Sequence, residues 1–542
     1  MKNYILKLIN FIPLFKRKYF HYVFHFRKGH KILTKNKNLH SFRTTKYNLN
    51  EVILNLTNFD KKIFQFYDLD IDNEKIIKQF INQKFCYDRI DYFYYYFLSS
   101  EKKFIYPLPF KMLNVIEKDG FKINKFLSLL SWFFVILLIF FSNLLGVIKL
   151  WLQIIKYLFI KRKSIKNADK TAVFCNISHE KDLLLTHANC GEYNLLNWAR
   201  LNLGDYKFFF LNKKTKFLEE KSNYTLLNDH FLLILNHLDL RKYFIRCLGL
   251  IMSILKNVVL LRWWNLILFK EAAIADLYAC ANDGFAKKYI FVYLGNTFRP
   301  LWTYSAEKNG SSIEMIPLGS FWEMSLPNPK IHIPDWEGFS IITWPIIYSW
   351  NESSRNFLIN KTTNNPEIIL LNKHVYSKDI KGYLNIPKRS IVVFSHENHR
   401  SVVGMSSIVD YQYANLNLLS SFYNDIYEIL KKNNITMVIK RKSGAEKQNS
   451  QIKKNIGLFN SFKNKKDVII CNPAISVDRV CQATLGTIAL PFSSAAIVSN
   501  NYKKPTIFYD PIKWVRLDDP ASSGLKIIYN KEDLYEWVKN LK

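Results

Sequence analysis

The sequence predicts an α/β protein built from two facing Rossmann-like domains, with a helical N-terminal extension and one hydrophobic membrane-associating helix. Three observations carry that expectation. Strand-like and helix-like segments alternate from about residue 390 onward. A looser alternation begins at Thr171, and an uncharged run extends from Phe126 to Ile148. At 542 residues the chain has room for two or three cores of about 150 residues each. The implied division is a basic helical extension over 1–125 and a hydrophobic helix with its basic flank over 126–163. An N-terminal Rossmann-like domain over 164–385 and a C-terminal Rossmann-like domain over 386–542 complete it.

The C-terminal pattern is the clearer of the two. Ile391 to Phe394 reads as a strand and Asn415 to Lys432 as a helix with apolar residues at helical spacing. Strands follow at Thr436 to Ile439, Val468 to Ile470, Thr487 to Leu490 and Thr506 to Tyr509, with helices between them, among them Val477 to Ala483. Five strands separated by helices require a parallel sheet, because parallel neighbours need a crossover. Upstream, Thr171 to Asn176 opens the first sheet, Ile290 to Tyr293 and Ile313 to Ile316 continue it, and Pro300 to Asn309 forms a helix capped by Gly310.

Lysine and arginine exceed aspartate and glutamate by 77 − 44 = 33. Such an excess draws anionic partners: nucleic acid, acidic lipid or phosphorylated substrates. No zinc-finger, RRM or bZIP pattern is present, which argues against nucleic acid. The seven cysteines (86, 175, 190, 247, 280, 471 and 481) are widely spaced with no C-x-x-C pair, as expected of buried thiols in a reducing compartment. Asp68-Leu69-Asp70-Ile71-Asp72 imitates a calcium loop, yet Asn73 replaces the turn glycine and Gln79 the bidentate glutamate, so no metal site is expected.

The run from Phe126 to Ile148 is long enough for the roughly 30 Å hydrocarbon core of a bilayer. Basic residues flank both ends, with Lys161, Arg162 and Lys163 favouring a cytoplasmic side after the helix. Spanning the bilayer and lying on its surface are both open at this stage, and inner-membrane lipid is an expected partner either way.

Ligands of parallel α/β sheets bind beyond the carboxyl ends of the strands. In the second domain those ends lead into Ser395-His396-Glu397-Asn398-His399-Arg400, Lys440-Arg441-Lys442, Pro491-Phe492-Ser493-Ser494 and Asp510-Pro511. Ser493 and Ser494 start a helix and suit a phosphate cradle, since free N–H groups and the helix dipole favour negative charge there. An ordinary serine cap is the plainer reading. Lys440, Lys442, His396 and Arg400 supply cationic donors at the same edge, Asp510 a carboxylate, and Arg299 an anion contact from the first domain. Glu307, about 12 Å along the helix from Arg299, is expected to point away from the cleft.

Pro491-Phe492-Ser493-Ser494, followed by Lys504 to Pro511, resembles the signature of the PFTS-motif polysaccharide biosynthesis proteins, with Ser493 in place of threonine. Arg299 to Gly310, the stretch before Trp350-Asn351-Glu352, and Gly120 to Trp132 are similar to further blocks of that family. Lys440-Arg441-Lys442 departs from it, a proline being expected after the lysine. The resemblance implies a GT-B-like, nucleotide-sugar-dependent glycosyltransferase of bacterial capsule or O-antigen synthesis. Its acceptor would be a glycan or lipid-linked glycan at the cytoplasmic face of the inner membrane, and it would need no cofactor beyond the donor. The serine pair also resembles that of bacterial sialyltransferases, which implies a CMP-linked acidic sugar. A base from the first domain is then expected among His179, Glu180 and Glu192, with His187 nearby. Two other readings stand beside this one: a polyol-phosphate transferase using a CDP donor, and a noncatalytic membrane adaptor for polysaccharide assembly or export.

Overall fold

The computed structural model describes residues 48–49, 51–60, 63, 71–82, 105, 107–159, 170–175, 195–211, 218–220, 224–293, 299–317, 342–362, 364–371, 384–395, 416–441 and 450–541. Among the described residues, helical turns at 48–49 and 51–54 precede three longer helices, α1 (Ile71–Asn82), α2 (Phe110–Lys118) and α3 (Lys125–Phe159). The first sheet and its helices follow as β1 (Thr171–Cys175), α4 (Leu195–Asn202), β2 (Lys207–Leu211), β3 (Leu218–Glu220), β4 (Thr225–Leu227), α5 (Leu240–Val259), α6 (Trp263–Ala279), β5 (Lys288–Tyr293), α7 (Trp302–Lys308), β6 (Ser312–Pro317), β7 (Ile346–Ser349), α8 (Glu352–Lys361) and β8 (Glu367–Leu370). The second sheet comprises β9 (Ser390–Phe394), α9 (Leu416–Lys432), β10 (Thr436–Lys440), α10 (Ser450–Lys463), β11 (Val468–Cys471), α11 (Val477–Ala483), β12 (Gly486–Ala489), α12 (Ser494–Asn501), β13 (Thr506–Tyr509), β14 (Lys526–Ile528) and α13 (Lys531–Lys539).

The first sheet has the order β3-β4-β2-β1-β5-β6-β7-β8, parallel throughout except for the β3–β4 edge. β1 is buried at every position, as expected of a central strand covered on both faces. The helical hairpin α5–α6 covers one face. α3 packs onto that hairpin: Trp132 meets Trp263 edge-on at 5.8 Å, the Asn143 side-chain amide donates to Leu266 O at 2.9 Å, and Trp151 meets Phe244 at 5.5 Å. Leu49, Ile77, Met112, Trp132 and Ile154 therefore share one core with the sheet residues Val173 and Phe291. The described part of the extension and the hydrophobic helix are thus part of the first domain's packing. Asp60 reinforces this, its Oδ2 accepting from Ser253 Oγ (2.6 Å) and Asn257 Nδ2 (2.8 Å).

The second sheet runs β11-β10-β9-β12-β13-β14, and every pairing is parallel. The five strands expected from the sequence are all present, and β14 adds a sixth at the edge. The two Rossmann-like domains give the GT-B-like plan that was expected. Ser353, at the start of α8, donates through its hydroxyl to Pro520 O at 3.0 Å and joins one domain to the other.

Candidate functional site

The second sheet reverses direction between two neighbouring strands. From β9 the chain moves outward through β10 to β11, then returns to β12 and proceeds the other way through β13 to β14. The crevice beyond the ends of β9 and β12 is the topological switch point, where open parallel sheets bind ligands. Two segments meet there: Ser395, whose hydroxyl lies 2.7 Å from Tyr423 Oη, and Pro491-Phe492-Ser493-Ser494.

That turn is held firmly from below. β12 is fully buried, and a Cβ on Gly486 would lie 2.7 Å from Pro505 O, so only glycine lets β12 approach this close. Thr487 Oγ1 donates to Ser499 Oγ at 2.7 Å, and Thr506 Oγ1 lies 3.0 Å from the same hydroxyl, which ties α12 to β12 and β13. Phe492 is buried, its ring meeting Phe508 edge-on at 5.9 Å, with φ at +64°. A left-handed phenylalanine costs of order 1–3 kcal/mol and persists only where its surroundings impose it. Its effect here is to turn the chain sharply from β12 into α12.

Ser493 occupies the N-cap position of α12, but its side chain makes no capping bond. Other caps in the molecule behave differently: Ser476, Asn351, Asp239 and Asn530 all accept from the amide three residues on. Ala496 N donates to Ser493 O at 3.0 Å, and the amides of Ser494 and Ala495 have no acceptor among the described residues. Ser493 is half-buried and Ser494 exposed. Two hydroxyls and two amides thus open at a helix N-terminus, a donor set suited to a phosphate.

The other expected ligand-binding residues divide sharply. The ends of β10 and β13 do share an edge with β12, but Lys440 is buried and its Nζ donates to Arg441 O (2.7 Å) and Pro473 O (2.9 Å). It bonds the loop after β10 to the loop after β11. Asp510 is also fully buried and accepts from the amides of Ile512, Trp514 and Val515, shaping the loop after β13. Arg299 does not reach toward the second domain. Its guanidinium stacks on Tyr304 at 3.9 Å, donates to Thr343 O at 3.0 Å and pairs with Glu307 at 2.5 Å. Glu307 therefore folds back toward Arg299, because a buried guanidinium requires a counter-charge. His179, Glu180, Glu192, Lys442, His396 and Arg400 lie outside the described residues, as do His187 and Asp68 to Asp70.

Three features were not anticipated from the sequence. Phe492 has no sequence marker, because left-handed backbone is ordinarily a glycine or asparagine trait. Gly486 was available as a glycine in a strand, a sign of close backbone approach. His230, just after β4, stacks on Trp302 at 4.4 Å with its Nδ1 2.7 Å from Tyr278 Oη, while Asp229 Oδ1 lies 4.0 Å from Nε2. Burial holds Tyr278 well above the usual phenol range, so it stays protonated beside the imidazole. This anchored histidine closes the layer between α6 and α7. On the outer flank of β11, Arg441 stacks on Phe459 at 4.5 Å beside a cavity of about 290 Å³.

Solved structures similar to this chain include the UDP-GlcNAc 2-epimerase of Methanocaldococcus jannaschii in complex with UDP-GlcNAc and UDP. It is 12% identical, with 68% of this chain and 92% of that chain covered, at a TM-score of 0.33. A UDP-forming α,α-trehalose-phosphate synthase from Burkholderia xenovorans is 10% identical, covering 68% and 89%, also at 0.33. Likenesses this distant fix neither substrate nor chemistry. No curated protein matches the chain. The family model described as "Polysaccharide biosynthesis PFTS motif protein" matches residues 244–538, more than half of the sequence and all of the second sheet. That range includes the turn at the switch point, whose Pro491-Phe492-Ser493-Ser494 resembles the motif, and the chain belongs to this polysaccharide biosynthesis family.

Proposed function

We propose that the protein is a glycosyltransferase of bacterial capsule or O-antigen biosynthesis, whose donor phosphate binds at Ser493 and Ser494. One observation carries this reading: the family motif forms the turn at the switch point between β9 and β12, with its serine hydroxyls left out of helix capping. Charge-assisted bonds from two hydroxyls and two amides would hold the donor phosphate, and the dipole of α12 would stabilise the negative charge that grows as the sugar leaves.

In this reaction the bond from the anomeric carbon to the donor phosphate oxygen breaks, and an acceptor hydroxyl oxygen bonds to that carbon. The acceptor proton passes to a base from the first domain, for which His179, Glu180 and Glu192, in the segment after β1, are the proposed groups. The donor is an acidic sugar carried on CMP, a reading supported by the serine pair and the formal charge of +33. The acceptor is a glycan on a lipid carrier at the cytoplasmic face of the inner membrane, and no cofactor beyond the donor is called for. A CDP-linked polyol phosphate would use the same cradle, and an adaptor would leave it empty.

Thermal-shift and ligand-observed NMR measurements with CMP, UMP, UDP, GDP and CDP separate these readings. CMP is expected to give the largest response. A response to UDP without one to CMP rejects the acidic-sugar donor, a response to CDP alone favours polyol-phosphate transfer, and silence to all five favours the adaptor.

A further inference from the structure

Seventeen of the 23 exposed large apolar side chains among the described residues fall on α3, on α5 and in the turn after α5. On α5 they form a stripe, Ile245, Leu248, Met252, Leu255 and Val259, at alternating steps of three and four residues that keep one helix face outward. The opposite face of α5 is the one that packs inward, through Tyr243, Cys247, Leu250 and Ile254. α5 is therefore apolar on both sides, which a helix at a water-exposed surface is not. α3 repeats the arrangement with Phe126, Leu130, Phe134, Phe141, Leu145 and Leu152 outward. Exposed apolar side chains concentrated in this way on two helices that pack together mark an interaction site.

Two facts identify what covers it. α3 is pinned sideways along its length, from Trp132 on Trp263, through the Asn143 bond to Leu266 O, to Tyr157 Oη 3.1 Å from Asn228 Oδ1. A helix attached in this way cannot stand free in a bilayer without drawing the α5–α6 hairpin in with it, and behind that hairpin lie Asp276, Arg246 and the Asp60–Ser253–Asn257 network. Only its outward face is available to lipid. Secondly, neither α3 nor α5 contains an acidic residue, while Lys149, Lys156, Arg241, Lys242 and Lys256 are exposed on them. Against a second copy of the same face these charges would repel. Against an anionic leaflet they are attracted.

We infer that α3 and α5 together form a monotopic docking face, laid along the surface of a bilayer rich in anionic phospholipid with its apolar side in the headgroup and acyl boundary. α3 is then an in-plane helix rather than a crossing one. This inference stands on packing and charge alone and is independent of the nucleotide reading.

Flotation of the full chain with phosphatidylethanolamine/phosphatidylglycerol vesicles, and with phosphatidylcholine vesicles as the uncharged comparison, tests it. The wild-type protein is expected to float with the anionic vesicles, less so with the neutral ones. Leu248→Glu with Met252→Glu, both at well-exposed positions, is expected to weaken binding about tenfold or more at an unchanged melting temperature. Lys149→Glu with Lys156→Glu, which alters no apolar contact, is expected to remove the preference for anionic lipid. Equal flotation of wild type and both variants overturns the proposal, as does a wild type that ignores vesicles and forms a dimer which Leu248→Glu with Met252→Glu dissociates. The in-plane placement is read from Lys122→Cys and Lys156→Cys, in a background with Cys86 and Cys190 replaced by serine. An impermeant maleimide added outside sealed proteoliposomes should label both or neither in any one vesicle population. Labelling of one end alone shows that α3 crosses and overturns the inference.

Discussion

The amide of Leu490 donates to the carbonyl of Phe394 across 3.0 Å, bonding the exit of β12 to the exit of β9 at the point where the second sheet changes direction. The residues immediately after Leu490 form the family motif. The turn they form is thereby bonded to the seam of the sheet where β9 and β12 meet.

The seam depends on close backbone packing at Gly486. A methyl group there meets Pro505 O at 2.7 Å, and a backbone atom cannot step aside as a side chain can. Gly486→Ala is expected to destabilise the second domain by about 1–3 kcal/mol, read as a lower denaturation midpoint. An unchanged midpoint would show that β12 and β13 can separate at no cost.

Phe492 combines an unfavourable backbone with a favourable ring. Phe492→Ala loses the contact with Phe508 and keeps the left-handed cost, so a loss of about 3–5 kcal/mol is expected. Phe492→Gly loses the same ring but removes the steric cost of about 1–2 kcal/mol, and should be the less damaging of the two in a denaturant titration. The reverse order would show that the backbone angle at this turn is not imposed.

Lys440 serves the fold in this structure. Lys440→Met leaves Arg441 O and Pro473 O without their donor, and a loss of about 1–3 kcal/mol in stability is expected. Nucleotide binding measured well below the melting temperature should be retained. Loss of binding with unchanged stability would return Lys440 to the ligand.

The described cysteines are all buried, and burial pushes the thiols of Cys247, Cys280 and Cys471 up to about 11 and that of Cys481 up to about 12. Their ordinary value is 9.0, so the unfolded chain releases these protons first as pH rises. The stability they contribute is fully present below pH 9 and is lost progressively toward pH 11–12. Urea midpoints should therefore fall between pH 9 and 11, and native protein at pH 8 should resist alkylation at Cys175, Cys247, Cys280, Cys471 and Cys481 until denaturant is added.

The second domain was legible because its strands are short, apolar and separated by unmistakable helices. α11 occupies the residues expected of it, and the helix expected from Asn415 is described from Leu416. In the first domain β2, β3, β4, β7 and β8 were not distinguished. β3 and β4 are only three residues each, and β2, Lys207–Leu211, is an aromatic run without alternation. The placement of Lys440, Asp510 and Arg299 near strand ends was readable, but where their side chains turn was not. That depends on backbone carbonyls and amides such as Pro473 O and Trp514 N, which carry no signature in residue type. The outward stripe on α5 was readable at helical spacing, yet exposure can be told from burial only once the inward face of the helix is known.

The central claim is that the turn after β12 binds the donor phosphate. Isothermal titration of a CMP-activated acidic sugar into the wild-type protein and into Ser493→Ala with Ser494→Ala tests it most directly. Neither hydroxyl caps the helix, so the variant should melt with the wild type. Its affinity should fall by about a hundredfold or more, at about 1.5–3 kcal/mol for each of two hydrogen bonds to a charged group. Equal affinity in the two proteins, with the fold intact, would contradict the account.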